Sequence, residues 1–166
     1  MEIELLSTKY RVKRMEEADI PEVYMLCKNN PLYYQYCPPF VTICSLKKDL
    51  TSLPKGKALK DKYYLGFYKG ELLIAVMDLI SGYPDAKTAF IGFFMMNQQV
   101  QGKGIGTAII TEACKYLKES GFSSVKLGYM KGNPQSESFW IKNHFQKTGV
   151  EAQTESHVIV VMQRHL

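Results

Sequence analysis

The sequence predicts a single α/β domain with a mixed, mostly antiparallel sheet flanked by helices, in the order β-α-α-β-β-β-α-β-α-β-β. Three observations carry this. Strand-like and helix-like runs interleave, without the regular alternation that a doubly wound parallel sheet requires. Residues 62–80 hold two apolar runs joined by Lys69-Gly70, a hairpin-type turn. A long apolar run at 88–97 leads through a glycine-rich segment into a helical pattern. With 166 residues, 46% of them hydrophobic, the chain has enough apolar material for a substantial core.

The elements follow in order. Residues 10–14, YRVKR, alternate apolar and basic as a half-buried strand does. Asp19 before Ile20-Pro21 predicts an N-cap with proline in the first turn, and Asn30-Pro31 stops that helix after about Asn29. Residues 31–41, PLYYQYCPPFV, read as an irregular aromatic loop. Leu46, Leu50 and Leu53 space a second helix over about 44–53, ended by Pro54-Lys55-Gly56. Strands at 62–68 and 71–80 come next, then a turn from Gly82 to Lys87 and a buried strand at 88–97. Ile105, Ile109, Ile110, Ala113, Cys114 and Leu117 share one face of a helix that Gly121 ends. SSVKLGYM at 123–130 reads as a strand, and Asn133-Pro134 opens a helix reaching about 143. VEAQT (150–154) and HVIVVMQ (157–163) form a closing hairpin.

A formal net charge of +5 suits an anionic ligand without demanding nucleic acid. The opening MEIELLSTKY carries Glu2 and Glu4 and no apolar run of secretory length. No stretch reaches the ~18 apolar residues of a membrane span. A soluble, cytoplasmic protein without a membrane partner is therefore expected. Cys27, Cys37, Cys44 and Cys114 form no CxxC pair, and His144, His157 and His165 lack metal-ligand spacing beside them. Free, mostly buried thiols and no metal are expected.

Chemistry concentrates in NQQVQGKGIGT, residues 97–107. The first turn of a helix leaves backbone N–H groups unpaired, and with the helix dipole they favour an anion. Glycines at 102, 104 and 106 remove the Cβ atoms that would hold an oxygen-rich group away, and Lys103 adds charge. A pyrophosphate suits such a seat; a flexible turn with one helix cap is the simpler alternative. A dinucleotide fingerprint fails at Ile109, and a Walker loop fails because Gly104 follows Lys103.

Gln101-Gly102-Lys103-Gly104-Ile105-Gly106 resembles the Q/R-x-x-G-x-G/A motif of the GNAT superfamily of acyl-CoA-dependent N-acyltransferases. The element order is similar too, and NPQSESFWIKNHF (133–145) is similar to the family's N-P-x-A-x-x-x-Y-x-K-x-G-F stretch. The resemblance spans about residues 10–165. It implies acetyl-CoA as cosubstrate and acetyl transfer to a primary amine by direct attack in a ternary complex. It further implies that the segment from Gln101 to Thr107, Ile105 included, holds the coenzyme A pyrophosphate through backbone N–H groups. Phe94, Met95 and Met96 would meet the pantetheine arm through their backbone, at a bulge that splays two strands. Asn133 would hydrogen-bond the pantetheine region. Lys142 would reach the phosphate end, with a solvated lysine as the alternative.

An amine acceptor must lose a proton before it attacks a thioester, and a general base helps. An N–H aimed at the developing oxyanion helps further, and the departing thiolate gains from a proton donor. The resemblance places a tyrosine donor where this chain has Trp140, and a glutamate base where it has Gly128. Indole N–H is no proton source near neutral pH. Three readings stay open. Positioning alone, with a water relay, can remove ~7–11 kcal/mol from a two-reactant barrier. Asp78 or Tyr129 can substitute, though each also fits a structural role, and Tyr129 should face away from Gly128's side of a regular strand. Or the chain is a catalytically silent CoA-binding or sensor module.

Other groups are weighed beside these. Tyr33 and Tyr34, with Tyr36 and Phe40, are placed to cage a cationic acceptor or to pack over the core. Cys37 and Cys114 are candidate nucleophiles without a histidine nearby in sequence. Lys47, Lys48, Lys55, Lys57, Lys60 and Lys62 read as a solvated face rather than a nucleic-acid surface. The partner is then a small-molecule or peptide amine, and HVIVVMQ offers a surface for a homodimer.

Overall fold

The computed structural model describes residues 1–154 and 157–166. Its strands are β1 (Arg11–Arg14), β2 (Lys62–Lys69), β3 (Leu72–Ser81), β4 (Thr88–Met96), β5 (Ser124–Met130), β6 (Gln146–Gln153) and β7 (Val158–His165). They form one sheet in the order β1-β2-β3-β4-β5-β7-β6. All neighbours run antiparallel except β4 and β5, which are parallel. The parallel step needs a crossover, and the long helix between those strands supplies it. The predicted mixed, mostly antiparallel fold is what forms.

The helices are α1 (Ile20–Lys28), α2 (Pro31–Tyr36), α3 (Ile43–Asp49), α4 (Ile105–Glu119) and α5 (Pro134–Lys142). Strand alternation divides the core in two. Ala75, Met77 and Leu79 of β3 join a cluster with Ile109, Ile110, Ala113 and Leu117 of α4. Val76 of β3 and Met95 of β4 join another with Val23 and Leu26 of α1 and Leu46 of α3. The chain's start is tied to α4, where the Glu112 carboxylate accepts from the Ser7 hydroxyl and the Thr8 N–H.

Several local expectations are corrected. Pro31 does stop α1, but it also opens α2 at the position where a missing N–H costs nothing. The expected loop at 31–41 is therefore half helix, closed where Cys37 N–H meets Tyr33 O at 3.0 Å. Asp19 does not cap α1 through its side chain; its carboxylate accepts from Glu16 N–H at 2.9 Å and pairs with Lys13 at 2.7 Å. α3 begins at Ile43 because Thr42 and Ser45 cap each other reciprocally, and it ends at Asp49 rather than near Leu53. β6 starts four residues before the expected VEAQT, since its exposed, mostly polar residues carry no apolar alternation. Gly121, at φ +89°, terminates α4 as expected.

The closing strand β7 is paired on both sides, with β5 and β6, so its edges are occupied and the outer edge belongs to β6. No helix among the described residues is long and apolar enough to cross a membrane. Phe145 is 2% exposed and meets Trp140 edge-on at 5.1 Å, fixing the end of α5 to the core. Phe145→Ala should lower unfolding free energy by about 3–5 kcal/mol, read from equilibrium urea denaturation.

Candidate active site

The site begins with a fault in the sheet. β4 and β5 pair only over Thr88–Ile91 against Ser124–Leu127. At Gly92 the register of β4 against β3 slips, so that Asp78 pairs with Phe93 and Leu79 with Ile91. Such a bulge bends its strand and shifts the side-chain phase. Phe94 and Met96 thereby face the α4 layer and Phe93 and Met95 the α1–α3 layer. Beyond the bulge, residues 93–96 keep β3 on one side and have no ladder partner in β5 on the other.

A cavity of about 240 Å³ lies where this half of β4 meets the start of α4 and the length of α5. Phe94, Met95, Met96 and Gln101 line it, as do Gly102, Gly104, Ile105, Gly106 and Thr107. Lys142, Tyr33 and Trp140 do so too. The residues drawn from the two quoted motifs thus converge on one space. Lys103 and Asn133 stand outside its lining. Lys103 Nζ donates to Gln99 O at 3.0 Å. Asn133 is 3% exposed, and its Oδ1 caps α5 by accepting from Ser136 N–H at 3.1 Å.

The glycine segment presents bare amides. Among the described residues, no acceptor meets the N–H groups of residues 102–107; the first satisfied amide of α4 is Ala108, bonded to Gly104 O at 3.0 Å. Six consecutive free donors at a helix start form an anion seat. The three glycines divide their work. Gly102 and Gly104 sit at φ +73° and +75°, where L side chains are strained, and a Cβ on either would meet nothing within 4 Å. Gly106 is different: a Cβ there would stand 3.1 Å from Phe139 and 3.4 Å from Met96. That glycine serves packing of α4 against α5 and β4, a correction to the reading of all three as clearance for a ligand.

Gln101 holds the segment in place. Its Nε2 donates to Asn30 Oδ1 at 2.7 Å and Met96 O at 3.1 Å, and Asn30 Nδ2 donates to the same carbonyl at 3.1 Å. The junction of α1 and α2, the end of β4 and the glycine segment are joined at one atom. Asn30, Val100, Gln135, Ser136 and Phe139 also line the cavity, and sequence reasoning misses them. Asn30-Pro31 reads only as a stop signal, whereas Phe139 is within reach through the pattern of α5.

Trp140 is 6% exposed and wedged between Phe139 at 4.9 Å and Phe145 at 5.1 Å, while Phe94 stacks on Phe139 at 5.7 Å. The tyrosine position is thus part of an aromatic layer. Tyr129 is buried in the α4 layer outside the cavity lining, and burial with the Glu137 carboxylate holds its phenol above the usual value. A Cβ on Gly128 would stand 2.5 Å from Ile159 Cγ2, so β7 fills the place a glutamate would need.

On the α1–α3 face, Tyr33 meets Phe93 edge-on at 5.7 Å, and Tyr34 meets Tyr33 at 5.0 Å and Phe40 at 4.8 Å. These rings cover one another, the packing alternative to a cage. Burial, then the neighbouring thiols, push both phenols up. Asp78 Oδ2 binds Lys62 Nζ at 2.7 Å, and Lys62 is 2% exposed. The last lysine of the expected solvated stretch is therefore a buried ion-pair partner; Lys47 and Lys57 pair with Glu17 and Asp61. All four cysteines are free: Cys27 and Cys114 are buried, Cys37 is half-buried and Cys44 is exposed. Burial pushes the Cys27 thiol up to about 12 and that of Cys114 up to about 11. Among the described residues, no three His, Cys, Asp or Glu side chains gather as a metal site.

The sequence model of the acetyltransferase (GNAT) family matches residues 29–145. The chain belongs to the GNAT acetyltransferase family. Solved structures share its fold. An acetyltransferase from Thermus thermophilus is 17% identical, with a TM-score of 0.74 over 95% of this chain and 97% of that one. The acetyltransferase from Salmonella typhimurium that modifies the N-terminal serine of ribosomal protein L7/L12 is 17% identical, with a TM-score of 0.74 over 97% of each chain. The PaiA N-acetyltransferase from Thermoplasma acidophilum, in complex with coenzyme A, is 20% identical, with a TM-score of 0.68 over 95% of this chain and 99% of that one. No curated protein matches the chain in sequence. The GNAT family uses acetyl-CoA, and the free amides with their glycine clearance fit its anionic end. Gly128→Glu, which restores the family's glutamate, should destabilise the fold by about 1–3 kcal/mol through overpacking against Ile159, measured by thermal unfolding, and should raise no activity.

Proposed function

We propose that this GNAT protein is an N-acetyltransferase that moves the acetyl group of acetyl-CoA to a primary amine by direct attack in a ternary complex. One observation carries the reading: the free amides run from 102 to 107, and all of these residues but Lys103 line the same cavity as the ladder-free half of β4. The amides suit the pyrophosphate. The free edge of residues 93–96 suits the amide-bearing pantetheine arm, because an unpaired strand edge seeks main-chain partners. Lys142, at the rim of the same cavity, supplies a cation for the phosphate end. Asn133 acts by setting the start of α5, and Lys103 by anchoring the turn.

Direct attack is favoured over a cysteine intermediate because the two buried thiols are held away from the thiolate form. The acceptor is a small-molecule or peptide amine approaching from the side of Tyr33 and Tyr34. Four free cysteines accord with a reducing, cytoplasmic setting. A homodimer would use the outer edge of β6 or a sheet face, because β7 has no free edge. A silent CoA-binding or sensor module is the second reading, favoured by Trp140 and Gly128 at the family's proton-handling positions.

Incubation with acetyl-CoA and a panel of primary amines and short peptides should release free thiol with at least one acceptor. Tight coenzyme A binding without turnover across the panel selects the silent module. Gly104→Val forces a branched side chain into the left-handed region and into the ligand's space. It should weaken coenzyme A binding at least about tenfold by calorimetry, and unchanged affinity contradicts the cradle.

A further inference from the structure

We propose that Asp78 is the general base of this transfer, reaching the acceptor nitrogen through the opening that Gly92 leaves in β4. The inference rests on the acetyl-transfer reading above. Asp78 lies on β3 as the register partner of Phe93, directly across from the bulge. A Cβ on Gly92 would stand 3.1 Å from Asp78 Oδ2, yet Gly92 itself is exposed. A side chain at 92 would cover the carboxylate, and glycine uncovers it. The β4–β5 ladder has ended by Gly92, so β4 lacks a β5 partner beside the residue that faces Asp78. Tyr33, which lines the cavity, touches Phe93, the residue paired with Asp78.

The two carboxylate oxygens are used unequally. Oδ2 is committed to Lys62, whereas Oδ1 is buried without a hydrogen-bond partner among the described residues. Such an oxygen is costly unless something donates to it. Oδ1 is closed to solvent, so an arriving ammonium meets Oδ2, the oxygen nearest the Gly92 opening, beside its bond to Lys62. The hydroxyl of Tyr64, directly opposite Asp78 on β2 and 3% exposed, is also without a partner among the described residues. The groups facing this point are Lys62 and Tyr64 from β2 and Asp49 from α3, with Cys27 of α1 and Tyr34 of α2 around Tyr64. Burial raises the Asp78 carboxyl above its usual range, with Lys62 opposing and Asp49 adding to the rise. A base nearer the working pH accepts a proton more effectively.

The step balances. The acceptor ammonium gives one proton to Asp78, its nitrogen forms the N–C bond at the acetyl carbonyl, and the C–S bond breaks. The coenzyme sulfur leaves with the electron pair and takes up the second nitrogen proton, and Asp78 returns its proton to solvent. Lys62 is a positioning residue that keeps the carboxylate ionised and turned.

The test compares wild type, Lys62→Met/Asp78→Asn and Lys62→Met, using coenzyme A for binding and the best acceptor of the amine panel for kcat/KM against pH. The double variant removes both buried charges, avoiding the lone buried cation that Asp78→Asn would leave. It should bind coenzyme A within about twofold of wild type, lose about 100-fold or more in kcat, and lose the acid limb of the profile. Lys62→Met keeps the carboxylate without its cation, so the acid limb should move up by about one pH unit or more. A double variant within about threefold of wild type, or an acid limb unmoved in Lys62→Met, overturns the assignment while the acetyl-transfer reading stands. Absence of turnover by wild type overturns both.

Discussion

A parallel ladder that ends after four residue pairs governs the rest of this molecule. Had β4 and β5 continued in register past Ile91 and Leu127, their main-chain groups would have satisfied each other and no gap would exist. The bulge at Gly92 ends that regularity and reverses the side-chain phase of β4. Phe94 is thereby sent to stack on Phe139, and Phe93 to meet Tyr33. One extra residue sets the unpaired strand edge, the aromatic wall behind it and the contact with Tyr33 on the other face. At the far end of the same half-strand, Met96 O receives Asn30 and Gln101, which fixes the free amides at the mouth of α4.

Electrostatics divides between the two faces of the sheet. On the α4 side the cavity offers main chain, the N–H groups at a helix start, with Lys142 in the lining and Lys103 Nζ turned to Gln99 O. On the α1–α3 side it is a buried ion pair, Lys62 with Asp78. A buried pair is a weak device for stability, because desolvation offsets most of the Coulomb attraction. The pair lies across from the bulge, and the antiparallel ladder of β2 and β3 already holds those strands together.

What depends on local pattern is legible in the sequence. The strand runs up to β5, the Lys69-Gly70 hairpin, the apolar face of α4 and the glycine-rich segment are all short-range signals, and each appears where expected. What depends on tertiary neighbours is hidden there. Lys62 reads as one more cation in a basic stretch, and only the β2–β3 register brings it to Asp78. Gly106 looks like its two neighbours, yet Phe139 rather than a positive φ requires it. Ile159 behind Gly128 lies across a strand pairing that no sequence spacing reveals. α2 escapes because Asn30-Pro31 carries both a stop and a start signal, and the first half of β6 because its exposed polar residues show no period.

The central claim is that coenzyme A occupies the gap between β4 and β5 with its phosphates on the amides of residues 102–107. Backbone amide NMR during a coenzyme A titration tests it directly, since those six N–H groups have no acceptor among the described residues of the free protein. The account predicts that their resonances, with those of residues 93–96, show the largest shifts and saturate together, while amides of β1 and β6 stay fixed. Saturation of binding with residues 102–107 unshifted would contradict it.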